Sequence, residues 1–201
     1  MNVLMPELVN IDMKWLEKII SLLQSFMSNH SKYDSSQIID NDIKETIMQE
    51  QITKNFTLTE LTKSSTALSK GIKNIPTNAD YENMKALCIN VLQPLRERLG
   101  KPITINSCFR CQALNESVGG AKSSQHLCGK AADIEIMGMS NYDLACYIRD
   151  NMDFDQVILE FANNLRNNPN DGWVHVSWNG SMNRKQCLTI NKLGTRLGLI
   201  R

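Results

Sequence analysis

Two hundred and one residues amount to about one domain at the usual ~100–200 residues each. The 22 Lys and Arg nearly balance 21 Asp and Glu, and the net charge of +1 excludes an acidic solvating tail and the basic stripe of a nucleic-acid binder. With 42% hydrophobic residues the chain can bury a core, and its three histidines (His30, His126, His175) leave few ways to build a metal or acid–base site.

Residues 1–27 predict an amphipathic helix, with Trp15, Leu16, Ile19, Ile20, Leu22, Leu23 and Phe26 on a broad face. That face suits packing on the main domain or self-association, since the opposite face is mixed in charge and not basic as a membrane-surface helix would be. Residues 28–50 are polar and weakly patterned, a linker. The N-terminus has no basic segment ahead of an apolar run and no small-residue cleavage site, so synthesis in a cytoplasm without a signal peptide is expected. No stretch approaches the ~18 apolar residues of a membrane span.

From Phe56 the pattern becomes regular. Residues 56–74 read as a short helix followed by a turn at Gly71, and residues 76–100 as a long helix with Tyr81, Met84, Leu87, Cys88, Val91, Leu92 and Leu95 on one face. Pro94 should kink this helix and Gly100 should end it. Strands are expected at residues 103–107, 131–136, 155–161 and 173–178, and Ser140 with Asp143 should cap a helix running to Met152. Leu188, Ile190, Leu193, Leu197 and Leu199 should pack the tail back on the sheet. The order implies an α+β domain, a small mostly antiparallel sheet with helices on one face.

The chemistry concentrates in residues 107–136, SCFRCQALNESVGGAKSSQHLCGKAADIEI, a polar loop rich in turn formers between two strands. His126 and Asp133 lie seven positions apart, and a bend at Gly129 would return Asp133 toward His126. His175, in GWVHVSW, is the remaining well-placed imidazole. Two imidazoles and one carboxylate make a three-ligand catalytic zinc set with a fourth position open. The alternatives at this point are an ordinary His126–Asp133 hydrogen-bonded pair and a core or surface role for His175.

Several motifs occur together in order: S-x-F-R, LN, VGG, S-x-H-x-x-G-x-A-x-D, FDQ-x-I-x-E and W-x-H-V-S. From Phe56 to Trp178 the chain resembles the zinc D-Ala-D-Ala carboxypeptidases and their phage relatives, which share a fold with the hedgehog signalling domain. The resemblance implies Zn2+ held by His126, Asp133 and His175. It also implies that Arg110 binds substrate and stabilises an oxyanion, a role suited to a guanidinium fork. In the dipeptidase branch a glutamate sits three residues before the last histidine, but here that position is Gly172. Glu160, at the end of a strand, is the preferred general base, and Asp171, in a loop, is the other candidate. The segment from Ala162 to Gly172 is longer than the family's usual link and carries five asparagines, a substrate lip or a tolerated surface loop. Ser124 and Gln125 flank the first ligand as cleft-lining or turn residues.

Cys108 and Cys111 form a lone C-x-x-C with no second pair at zinc-finger spacing, so packing or incidental thiols are expected there and at Cys128. The resemblance divides the chain into residues 1–50, an extension and linker, and residues 51–201, a zinc peptidase domain. It implies metal-assisted hydrolysis of peptide bonds in peptidoglycan stem peptides at a bacterial cell wall, carried by a phage lysis or virion protein. The alternative is a binding or structural module that keeps the zinc cleft without turnover, which Gly172 favours.

Overall fold

The computed structural model describes residues 51–165 and 167–201. The expected N-terminal helix, the linker and His30 lie outside the described residues. Among those described, no helix is long and apolar enough to cross a membrane.

A short antiparallel pair, β1 (Gln51–Thr53) and β2 (Phe56–Thr57), opens the domain. Two helices follow where the sequence suggested one, α1 (Leu58–Thr62) and α2 (Ser65–Lys70). The break is chemical: Thr57 accepts from the Glu60 N–H and Ser64 from the Ala67 N–H, so each starts its own helix from an extended N-cap. The long helix divides into α3 (Asn78–Leu87), a π-helical turn (Cys88–Leu92) and α4 (Gln93–Leu99). Pro94 lacks an N–H, and the wider turn ahead of it, in which the Gln93 N–H reaches the Cys88 carbonyl, places the proline in the first turn of a fresh helix. The expected kink is therefore a π-turn.

Strand β3 (Thr104–Ser107) leads into a loop containing α5 (Gln112–Ser117) and a 3-10 turn (Gln125–Cys128), then β4 (Ala131–Glu135). Helix α6 (Asn141–Asn151) starts at Ser140, which accepts from the Asp143 N–H. Strands β5 (Gln156–Glu160), β6 (Trp173–Ser177), β7 (Gln186–Asn191) and β8 (Gly194–Leu197) complete the chain. The sheet order is β3-β4-β6-β5-β7-β8, antiparallel throughout except for the parallel pair β5 and β7. The tail thus extends the sheet instead of packing back on it. Leu193 and Leu197 stay exposed, while Leu199 is partly buried against the core. The expected α+β class, with a mostly antiparallel sheet, is what the structure has.

Period-two alternation sorts the central strands into two faces. Ala132, Ile134, Val157, Leu159, Val174 and Val176 join Met84, Leu87, Leu92, Leu95, Leu144 and Ile148 in one buried cluster beneath the helices. Each large aliphatic side chain buried there contributes about 1.5–3 kcal/mol. The intervening positions face the other way, and in β4 and β6 these are Asp133 and His175. Burial of the core therefore orients the polar residues.

Candidate metal centre and catalytic cleft

Asp133 and His175 are direct cross-strand partners, and Ile158 of β5 is the next residue in that row. His126 arrives from the 3-10 turn, whose N-cap Ser124 accepts from the His126 N–H. Gly129 closes that turn with φ +67°, and a side chain there would meet the Asp80 carbonyl at 2.6 Å, so glycine alone lets the turn press on α3. Gln125 donates to Asp155 at 2.8 Å. Asp155 is fully buried and also accepts from the main chain and side chain of Arg184. Burial raises its pKa, but the bonds from Arg184 and Gln125 outweigh that and hold it at about 2. This network ties the ligand-bearing turn to the sheet, and composition gave no sign of it beyond the FDQ run.

The protons of the centre follow from its bonds. The Nδ1 of His126 lies 2.6 Å from the Cys108 carbonyl, which can only accept, so Nδ1 carries the proton and Nε2 presents a bare lone pair. Burial lowers the pKa of His126 against the pull of Asp133, favouring this neutral ring. Nε2 lies 3.1 Å from both Asp133 Oδ1 and His175 Nδ1, which are themselves 3.0 Å apart.

Three buried donor atoms, one of them a carboxylate oxygen, thus converge on one point. Ligands of a tetrahedral zinc at ~2.0–2.1 Å stand about 3.3–3.4 Å apart, so the triangle fits a cation after a shift of a few tenths of an ångström. Among the described residues this is the group of His, Cys, Asp or Glu side chains able to hold a metal. The carbonyl of Cys108 fixes the ring of His126 from behind, the usual second contact of a ligating imidazole.

Arg110 stands beside the centre, its guanidinium 3.5 Å from Asp133 Oδ2 and its Nε buried without a partner among the described residues. The loop holding it is clamped. The N–H of Phe109 donates to Leu61, that of Arg110 to His126, and that of Cys111 to the Asn74 side chain, which donates in turn to the Thr62 and Phe109 carbonyls. Asn74 is a positioning residue that the sequence pattern did not reveal. Cys108 is buried, and burial raises its thiol well above the ordinary range; Cys111 and Cys128 are also free.

Glu160 ends β5 on the site face, with Trp173 of β6 and Ile190 of β7 as its cross-strand partners. Burial raises its pKa, with His175 pulling the other way. A cavity of about 530 Å³ is lined by Arg110, Ser124, His126, Asp133, Glu160 and His175 among others. Asp171 is engaged elsewhere. Its carboxylate accepts from the Asn163 and Asn164 N–H groups at 2.7 and 2.8 Å and closes the asparagine-rich loop, which the Asn141 side chain anchors through the Gly172 carbonyl.

Gly172 is explained by packing. Its φ is +73°, and an added Cβ would sit 1.9 Å from the Glu160 carbonyl oxygen and 2.7 Å from the Ala162 nitrogen. No side chain fits without displacing the end of β5, so a glutamate at 172 would move Glu160 itself. Left-handed strain and overpacking together predict that Gly172→Ala costs about 2–5 kcal/mol. The expected drop in melting temperature is roughly 5–15 °C, and Gly172→Glu should fare no better. Calorimetric melting of both variants at wild-type Tm would overturn this account.

A family model described as Peptidase M15 matches residues 54–177, more than half of the chain and close to the span of the sequence resemblance. A zinc D-Ala-D-Ala carboxypeptidase of Streptomyces albus G is 39% identical over 84 residues, covering 40% of this chain. The match spans about a third (31%) of that relative's length.

Proposed function

Because the chain belongs to the peptidase M15 family, we propose that it is a zinc metallopeptidase cleaving peptide bonds of peptidoglycan stem peptides, of the D-Ala-D-Ala carboxypeptidase or endopeptidase type. The observation that carries this reading is the convergence of His126, Asp133 and His175 in one cavity with Glu160 and Arg110. The name of the Streptomyces relative supports zinc as the metal and D-alanyl peptides as substrates. Residues 51–201 form the peptidase domain in this reading.

His126, Asp133 and His175 would hold the ion. A zinc ion held there would supply Lewis-acid chemistry, polarising an amide carbonyl and making water a competent nucleophile near neutral pH. Glu160 takes the proton from water and returns it to the leaving amine. Arg110, with its donors unsaturated, binds a substrate carboxylate or the developing oxyanion. Asp133 keeps Arg110 turned toward the centre through their ion pair.

Gly172, which favoured a non-catalytic module, has a packing cause and no longer supports that alternative. We place the site of action at a bacterial cell wall. A carrier of the phage lysis or virion type is the finer reading, resting on the phage-type form of the FDQ-x-I-x-E motif. Self-association through the N-terminal helix is proposed on the sequence pattern alone.

Purified protein should contain one zinc per chain and release D-alanine or cleaved stem peptides from peptidoglycan, as read by metal analysis and mass spectrometry. Stoichiometric zinc without cleavage of any stem peptide would establish the binding module instead.

A further inference from the structure

The alternation that sorts β5 into core and cleft faces stops at Glu160. A continued strand would send residue 161 to the face opposite Glu160, under the helices. Phe161 instead has φ +55°, a left-handed backbone that bulky side chains rarely adopt. Phe161 is 50% exposed, and its ring lies 4.9 Å from the Trp173 ring, tilted by 38°. Both rings line the same cavity as Glu160 and the three metal-binding residues.

The turn is held from two sides. The Phe161 N–H donates to the Ile190 carbonyl at 2.7 Å, and Gly172 packs within van der Waals range of the 160–162 backbone. Strain of this kind persists only where the surroundings impose it, and here it leaves a large apolar ring in a cleft instead of burying it. Trp173 and Ile190 flank Glu160 on the neighbouring strands, so the three apolar side chains adjoin the base. Elsewhere the lining mixes Lys63, Ser64, Ser65, Thr66 and Asn106 with the apolar Phe109, Leu114, Val118 and Ala121. The apolar side chains that adjoin the general base are thus Phe161, Trp173 and Ile190.

Resting on the peptidase reading above, we propose that Phe161, with Trp173 and Ile190, forms a specificity subsite for the aliphatic part of a substrate side chain flanking the scissile bond. A buried ring face rewards added methylene groups and offers nothing to glycine, so the subsite discriminates by side-chain carbon.

The test compares sugar-free stem peptides in which each residue flanking the cleaved bond is, in turn, glycine or an aliphatic side chain. Wild type should prefer the side chain at one flank by about tenfold or more in kcat/KM, within the range a hydrophobic pocket can give. Phe161→Asn, which accepts the left-handed backbone, should lose that preference at unchanged melting temperature, and Phe161→Tyr should keep it. Retained discrimination in Phe161→Asn overturns the subsite. So does a uniform loss on all peptides with a lowered melting temperature, which marks a structural role. A loss confined to sugar-linked muropeptides also overturns it, because the ring would then be stacking on carbohydrate. Calorimetric binding of the same peptides to zinc-supplemented Glu160→Gln protein reads the subsite without turnover. Wild type that cleaves nothing therefore defeats the peptidase reading alone, whereas equal binding of the glycine and aliphatic peptides defeats the subsite.

Discussion

Replacing His175 by alanine is expected to release the metal and lower hydrolysis by at least about 10³-fold, the scale of the several kcal/mol a Lewis-acid metal supplies. The remaining pair, His126 and Asp133, offers two donors where a catalytic zinc needs three. Contacts behind a ligand already cost 10–100-fold in metal affinity or activity when removed, so loss of a ligand itself should cost more. A chelator should do the same to wild type, and added zinc should restore it. Metal binds only the folded arrangement, so saturating zinc at ~1,000 times Kd should also add about 4 kcal/mol to stability, seen as a raised melting temperature in wild type and not in His175→Ala. Metal analysis, hydrolysis and thermal melting together read this. Zinc retained at full stoichiometry in His175→Ala would remove it from the centre.

Glu160→Gln should behave differently, with zinc content and melting temperature kept and kcat reduced by about 10²–10⁴-fold, the usual contribution of a positioned general base. The amide preserves the shape of the side chain between Trp173 and Ile190 but cannot accept the water's proton. Asp171→Asn is the control, because that carboxylate already accepts two main-chain bonds within its loop. It should loosen residues 163–171 and leave kcat near wild type. Comparable losses of kcat in both variants, or full activity in Glu160→Gln, would take the base role away from Glu160.

The sequence made parts of this legible because they obey local rules. Val174 and Val176 bracket His175, and Ala132 and Ile134 bracket Asp133; an apolar alternation that must be buried leaves the residue between facing the other way. Ser140 and Gly100 marked helix ends for equally local reasons. The candidate ligands stood out because the chain has few histidines and because His126, Asp133 and His175 fall in the motifs shared with a known family.

What no local rule carries is the cross-strand register and the turn of the backbone at strand ends. Asp133 faces His175 because β4 and β6 pair in one register, a consequence of the whole core being buried at once. Asn74, Asp155 and Arg184 look like ordinary polar surface residues in the sequence, and only packing brings them behind the site. That Asp171 is already engaged by the loop's own N–H groups, while Glu160 faces the cleft, was likewise invisible in the sequence. By itself the sequence determined an α+β chain, since periodicity acts residue by residue, and it marked His126, Asp133 and His175 as candidate metal ligands through the motifs shared with a known family. The tertiary structure decided which carboxylate faces the cleft, why position 172 must be glycine and where Phe161 points, because each depends on contacts between segments that only the closed sheet brings together.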